Sequence, residues 1–298
     1  MKDTAPSSLH RPRRSALYMP ASKARALEKA RSLDADVLLL DLEDAVAPDE
    51  KPAARKALAA SLAQGGFGSR ETVVRVNALG TPWGGDDLAM AARSGADAVL
   101  LPKVESSAMV EAAAAALDNA DGPQSLALWA MIETPRGILA AERIARHPRL
   151  ACFVLGTNDL VADMRAEHVP GRAPVLAALT MAVLAARASG LAVLDGVYNA
   201  FRDEEGLRAE CEQGRALGMD GKTLIHPAQL AIANEVFAPA EDAVALARRQ
   251  IEAYEEARAR GQGVAVVDGR IVENLHVRTA QRLIAEAEAI ERRAATAR

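Results

Sequence analysis

The fold class this sequence predicts is a closed parallel barrel, a TIM (β/α)8 barrel with a C-terminal helical and hairpin extension, and three observations carry it. A strand-like apolar run, a polar turn and a helical stretch recur eight times in order. Most of those runs are apolar for four or more residues, as strands buried on both faces are. Of the 298 residues 50% are hydrophobic but only 3% aromatic, so Ala and Leu carry the packing, which suits helix surfaces better than a β-sandwich. A doubly wound open sheet is the alternative that the same alternation allows.

The strand-like runs are Ser15–Met19, Asp36–Leu40, Thr72–Val76, Ala98–Leu101, Ala127–Ile132, Ala151–Leu155, Ala192–Leu194 and Gly221–Ile225. Amphipathic stretches lie between them: Ser22–Leu33, Glu50–Leu62, Asp86–Ser94, Ser106–Leu117, Arg136–Arg146, Pro174–Ser189 and Glu204–Leu217. Pro135 after Thr134 marks a helix start, and Gly190 and Gly218 mark helix ends where a left-handed cap belongs. Beyond the eighth unit, Glu241–Arg260 and His276–Arg293 read as helices, with a hairpin around Asp268-Gly269 between them. Residues 1–238 are therefore expected to form the catalytic barrel, and 239–298 an extension covering an active site, its own or a neighbouring subunit's.

A net charge of −4 with acids and bases mixed throughout gives no basic face for nucleic acid. No apolar run near the ~20 residues of a membrane helix is read in the sequence, and no signal-peptide core follows Met1. Cys152 and Cys211 stand far apart, in no metal or redox spacing, and read as buried thiols of a reducing cytoplasm. Arg11, Arg13 and Arg14 read as a solvated lead-in, and His10, His147 and His168 as solvated loop residues. Gly65-Gly66-Phe67-Gly68 lacks both the strand-to-helix setting of a dinucleotide site and the lysine of a P-loop.

Chemistry-bearing residues follow almost every strand run. Tyr18 closes the first; Asp41, Glu43 and Asp44 follow the second; Arg75 and Asn77 end the third. Lys103 follows the fourth, Glu133 the fifth, Asn158 and Asp159 the sixth, Asp195 the seventh and His226 the eighth. In a TIM barrel these positions meet at the C-terminal mouth. Glu133 and Asp159 follow consecutive strands about 4.8 Å apart, so their carboxylates can share one ion. Two carboxylates without histidine or cysteine suit a hard cation, Mg²⁺ or Mn²⁺, rather than zinc. As alternatives, Asp159 is an N-cap or turn residue and Glu133 a capping group ahead of Pro135. Arg75 interrupts a buried strand, so either a substrate anion or a protein carboxylate, Glu43 or Asp44 at the neighbouring strand end, must meet it.

These residues sit in recognisable company. Leu17-Tyr18-Met19-Pro20, Leu40-Asp41-Leu42-Glu43-Asp44-Ala45-Val46, Val74-Arg75-Val76-Asn77, Pro102-Lys103, Met131-Ile132-Glu133-Thr134, Gly156-Thr157-Asn158-Asp159-Leu160, Asp195-Gly196-Val197-Tyr198 and Gly221-Lys222 to Ile225-His226-Pro227 stand in one order. Together they resemble the citrate lyase beta-subunit-like family, which includes malyl-CoA and citramalyl-CoA lyases, from about Arg14 to the last helix. The resemblance implies Mg²⁺ at Glu133 and Asp159, a keto acid or enolate at Arg75, and a coenzyme A thioester along Tyr18, Arg25, Lys29, Ile225 and His226. It also implies a homotrimer or a multiple of it. Lyases of this kind carry an aspartate acid–base in a Gly-Lys-Met-Ile-Asp-like tail segment; here that segment ends in Glu273, one methylene longer.

The expected activity is Mg²⁺-dependent making or breaking of a carbon–carbon bond in a malyl-, citramalyl- or citryl-type thioester, through a thioester enolate and a keto acid. The alternatives are a citrate lyase beta subunit acting on a citryl-carrier protein, and a metal-dependent pyruvate aldolase acting on free hydroxy-keto acids. The phosphoenolpyruvate-utilising enzymes, which share two of the motifs, need a catalytic cysteine and a phosphohistidine domain that the chain does not offer.

Overall fold

A computed structural model describes residues 11–296, so His10 lies outside the described residues. Eight parallel strands close on themselves in chain order: β1 (Ser15–Pro20), β2 (Val37–Asp41), β3 (Glu71–Arg75), β4 (Ala98–Leu101), β5 (Ala127–Ile132), β6 (Leu150–Leu155), β7 (Ala192–Asp195) and β8 (Gly221–Leu224). Strand β1 pairs with both β2 and β8, which closes the barrel. Each strand lies within one or two residues of its predicted run.

The covering helices are α1 (Ala24–Ala30), α2 (Lys51–Gln64), α3 (Gly84–Ala92), α4 (Ser107–Asn119), α5 (Pro135–Ala145), α6 (Thr157–Asp163), α7 (Leu176–Ala188), α8 (Glu204–Ala216) and α9 (Leu230–Phe237). The Thr134 hydroxyl accepts the Gly137 N–H at 3.0 Å with Pro135 in the first turn. Gly190 and Gly218 take φ of 72° and 94°, the left-handed geometry that ends α7 and α8. Helices α6 and α9 were not expected; at seven and eight residues each, they are too short to show a clear period.

Strand parity sorts the core into two layers. Ala16, Val37, Leu39, Val73, Leu100, Trp129, Met131, Cys152, Val154 and Leu194 pack together inside the barrel. Their neighbours Leu17, Leu38, Leu40, Val74, Val99, Leu128 and Val193 belong to the larger cluster that includes the helices. At the N-terminal end the Arg13 guanidinium sits over the Trp129 ring at 5.0 Å and makes two bonds to Glu71, at 2.7 and 2.8 Å. Arg14 grips Asp36 in the same bidentate way, at 2.8 and 2.9 Å. Neither arginine belongs to a solvated lead-in: both are buried, because two carboxylates at strand starts hold them.

One stretch, Pro170–Ala188, is by length and composition apolar enough to cross a membrane, contrary to the sequence reading. It is not one helix. Gly171 and Arg172 take left-handed φ of 76° and 57°, and only Leu176–Ala188 is α-helix, packed on α5, β6 and β7 as a barrel helix.

Arg13–Phe237 make one compact unit, and residues from Ala238 onward make another. In the second, α10 (Glu241–Ala259) and α11 (Asn274–Thr296) pack together beside a hairpin of β9 (Ala265–Val267) and β10 (Arg270–Val272). Ala257, Ala265, Val272 and Val277 form its small core.

Asp195 is not a mouth residue. It ends β7 with the parity opposite to Leu194 and points into the helix layer, where Arg172 bonds both its oxygens (2.7 and 2.8 Å) and Lys222 one (3.1 Å). Lys222, fully buried, also bonds Glu210 on α8 at 2.6 Å. Lys222→Met should leave the buried Asp195 and the partly buried Glu210 to share Arg172 and cost about 3–5 kcal/mol, measured as a lowered midpoint in denaturant unfolding.

Candidate active site

The parity that fills the barrel interior also aims the side chains at its mouth. Above Ala16 comes Tyr18; above Val37 and Leu39 comes Asp41; above Val73 comes Arg75; above Trp129 and Met131 comes Glu133. Asp41 and Arg75 are register partners on adjacent strands. The result is a bidentate pair, Arg75 Nε to Asp41 Oδ1 at 2.7 Å and Nη2 to Oδ2 at 2.6 Å. Nη1 turns to Glu43 at 2.9 Å and to the exposed Asp44 at 3.3 Å. The guanidinium stacks on the Tyr18 ring at 4.7 Å. Arg75 thus meets both candidates for its protein partner, Glu43 and Asp44, and a third carboxylate, Asp41, that grips it hardest.

Glu133 is buried, and its Oε1 accepts the Lys103 backbone N–H at 2.7 Å. The other oxygen lies where a Cβ on Gly156 would be, 2.5 Å away. Only glycine fits there, because position 156 continues the inward parity of β6. Asp159, in the first turn of α6, meets the Lys103 ammonium at 3.3 Å. Burial pushes the Glu133 carboxyl up to about 7; the Lys103 N–H opposes that, and Asp159 and Glu43 add to it. Glu43 is also pushed up to about 7, first by burial, with Arg75 opposing and Asp44 and Asp41 adding. Burial holds the Tyr18 hydroxyl above the usual tyrosine range, against the pull of Arg75.

Among the described residues, the five mouth carboxylates Asp41, Glu43, Asp44, Glu133 and Asp159 have ion-pair or hydrogen-bond contacts with Arg75 and Lys103. A divalent cation would relieve that excess of acids. Among the described residues no group of three or more His, Cys, Asp or Glu side chains forms a metal cage. A two-carboxylate site fits Mg²⁺ or Mn²⁺, which keeps open positions for water and substrate.

The remaining candidates lie elsewhere. Arg25 and Lys29 are exposed on α1. Ile225 is half-exposed, and His226 stacks on Phe201 at 4.5 Å while its Nδ1 accepts the Ala228 N–H. Gln229 accepts both their backbone N–H groups, which pins the loop after β8. Glu273 precedes α11 in the second unit, its backbone N–H bonded to His276 and its side chain exposed. Asn77 is structural, tied to Asp87 and the Leu42 carbonyl. A cavity of about 490 Å³ opens beside the mouth, lined by Asn158, Val169, Pro174, Tyr198 and Gln213 among others, but it takes in none of the carboxylates at Arg75.

Residues 14–227 match the HpcH/HpaI aldolase/citrate lyase family. The chain belongs to that family. A (3S)-malyl-CoA thioesterase of Cereibacter sphaeroides is 57% identical over 279 residues, covering 94% of this chain and 96% of the relative. The citrate lyase subunit beta of Escherichia coli is 37% identical, covering 93% and 94%. Among solved structures, Mycobacterium tuberculosis CitE in complex with magnesium, acetoacetate and coenzyme A superposes with a TM-score of 0.74 at 31% identity, covering 92% of this chain and 97% of that one. The expected family and barrel are both correct.

Because its folded pKa lies above the ordinary carboxylate value, Glu133 costs no stability below about pH 4.5 and costs progressively more as pH rises through about 7. In chelator, Glu133→Gln should therefore raise the melting temperature at pH 8, by up to about 3 kcal/mol of stability, and gain nothing at pH 4. Thermal melts at the two pH values check this.

Proposed function

We propose that this protein is a Mg²⁺-dependent enzyme that hydrolyses a malyl-type 3-hydroxyacyl-CoA thioester. The carrying observation is the 57% identity, over nearly the whole of both chains, to relatives named (3S)-malyl-CoA thioesterases. The acid-rich mouth supports the metal, and the exposed Arg25 and Lys29 supply cations for coenzyme A phosphates.

In this reading Glu133 and Asp159 hold the metal, which when bound supplies Lewis-acid polarisation of substrate oxygens. Arg75, fixed by Asp41 and Tyr18, exchanges the loose contact of its Nη1 with the exposed Asp44 for the acid end of the substrate or for developing negative charge. Glu43, with a pKa near neutrality, takes the proton of the attacking water. The thioester C–S bond then breaks, with the free acid and coenzyme A as products. Ile225 and His226 belong to the thioester path. The family resemblance supports a homotrimer or a multiple of it; the two buried free thiols suit a cytoplasmic setting.

Carbon–carbon cleavage of the same ester is the second reading, favoured by the 37% identity to a citrate lyase subunit. It requires an acid at the enolate carbon, for which Glu273 is the candidate. Incubation with (3S)-malyl-CoA separates the two. Hydrolysis should release malate and free coenzyme A in equal amounts, without acetyl-CoA or glyoxylate, and should survive Glu273→Gln; acetyl-CoA and glyoxylate as the main products would overturn it. The double Arg25→Ala, Lys29→Ala variant should raise the KM for the thioester roughly tenfold with little change in kcat, because two remote charge contacts are lost. Steady-state kinetics with the same ester measure it.

A further inference from the structure

Lys103 touches both carboxylates of the pair Glu133 and Asp159, and it does so with two different groups. Its backbone N–H donates to Glu133 Oε1 at 2.7 Å, and its ammonium reaches Asp159 Oδ1 at 3.3 Å. The backbone here is unusual. Lys103 has φ of 48°, in the left-handed region that non-glycine residues seldom adopt. The next residue returns to regular pairing, with Val104 N–H on the Met131 carbonyl at 3.1 Å. A single left-handed residue at the end of β4 therefore serves to present an N–H and an ammonium to two acids on neighbouring strand ends.

The charge environment points the same way. The Lys103 ammonium is ion-paired to Asp159. Yet the side chain is 55% exposed and Asp159 44%, so the ammonium is held loosely and can be exchanged. The backbone bond to Glu133 has less freedom, because the next N–H, that of Val104, is tied to the Met131 carbonyl on β5.

We propose that Lys103 is a tethered counter-ion of the carboxylate pair, whose backbone N–H fixes Glu133 while its ammonium holds Asp159 until a divalent cation takes the ammonium's place. This rests on the reading of Glu133 and Asp159 as the metal ligands. It makes Lys103 a positioning residue, and a competitor of the metal rather than a helper.

Mn²⁺ binding to the full chain, followed by loss of the free-ion paramagnetic resonance signal, tests it. Lys103→Asn removes the charge but keeps the N–H in a residue that tolerates the left-handed backbone. It should bind Mn²⁺ about two- to fivefold more tightly, the worth of one exposed ion pair no longer displaced. Lys103→Gly, which has no backbone strain, should tighten binding likewise, whereas Lys103→Arg should stay near wild type. Unchanged or weaker affinity in the asparagine and glycine variants would overturn the counter-ion role, since a merely structural lysine never tightens the site when removed. If Glu133→Gln and Asp159→Asn also leave Mn²⁺ affinity unchanged, it is the metal reading itself that fails, and the proposal fails with it.

Discussion

Asp41 and Arg75 stand opposite each other at the ends of β2 and β3, both aimed inward by strand parity, and each makes the other tolerable. A guanidinium at the top of a barrel interior is costly unless carboxylates meet it in the plane of its fork. Asp41 supplies the bidentate partner and so fixes the plane. With that plane set, one face rests on Tyr18 and the outer edge is left for Glu43 and Asp44. Asp41 also accepts the N–H groups of Glu43 and Ala45, so the loop bearing the two outer acids is wound around the same carboxylate.

That single pair explains why so much negative charge can collect at the mouth. Arg75 offsets part of the charge of three acids on the β2 side, and Lys103 does the same more loosely for the two across the mouth. The balance is still short of cations, and the cost shows in Glu43 and Glu133, both pushed toward neutrality by burial. Carboxylates arranged this way are poorly suited to stability and well suited to holding a hard cation and moving a proton near pH 7. Gly156 belongs to the same design: any side chain there would occupy the space of the Glu133 carboxylate.

The barrel was legible in the sequence because long apolar runs and amphipathic stretches alternate without interruption. The site was legible only as far as position after a strand is informative. Parity is the finer signal, and it separates residues that position alone confuses. Counting by twos from Val37 puts Asp41 inside beside Arg75, whereas counting from Ala192 puts Asp195 outside, among Arg172, Lys222 and Glu210. The same count from Trp129 reaches Glu133. Arg13 and Arg14 were misread because their partners, Glu71 and Asp36, begin strands remote in sequence. Lys103 stood in the right place, but its role depends on a left-handed backbone that no local pattern announces. Arg25, Lys29, Ile225 and Glu273 were proposed through family resemblance alone, and His226 also by its place after β8, since exposed side chains carry no packing signature.

The two readings of the chemistry differ in where a proton must be delivered, and this bears on which residues the barrel has to supply. Hydrolysis needs a proton taken from water beside the thioester carbonyl, and on the proposed reading Glu43, at the arginine edge, takes it. Carbon–carbon cleavage needs a proton given to an enolate carbon, and the acid that the family resemblance implies for it lies in the tail, at Glu273. The five carboxylates of the mouth are drawn either to Arg75 or to Lys103. On the proposed reading, a tail glutamate where the resemblance implies an aspartate leaves the residues of the first reaction untouched. The second depends on a group whose reach has changed by one methylene, a displacement of the size that catalysis rarely tolerates. On the proposed reading, hydrolysis is therefore what remains when the mouth is intact and the tail acid is altered.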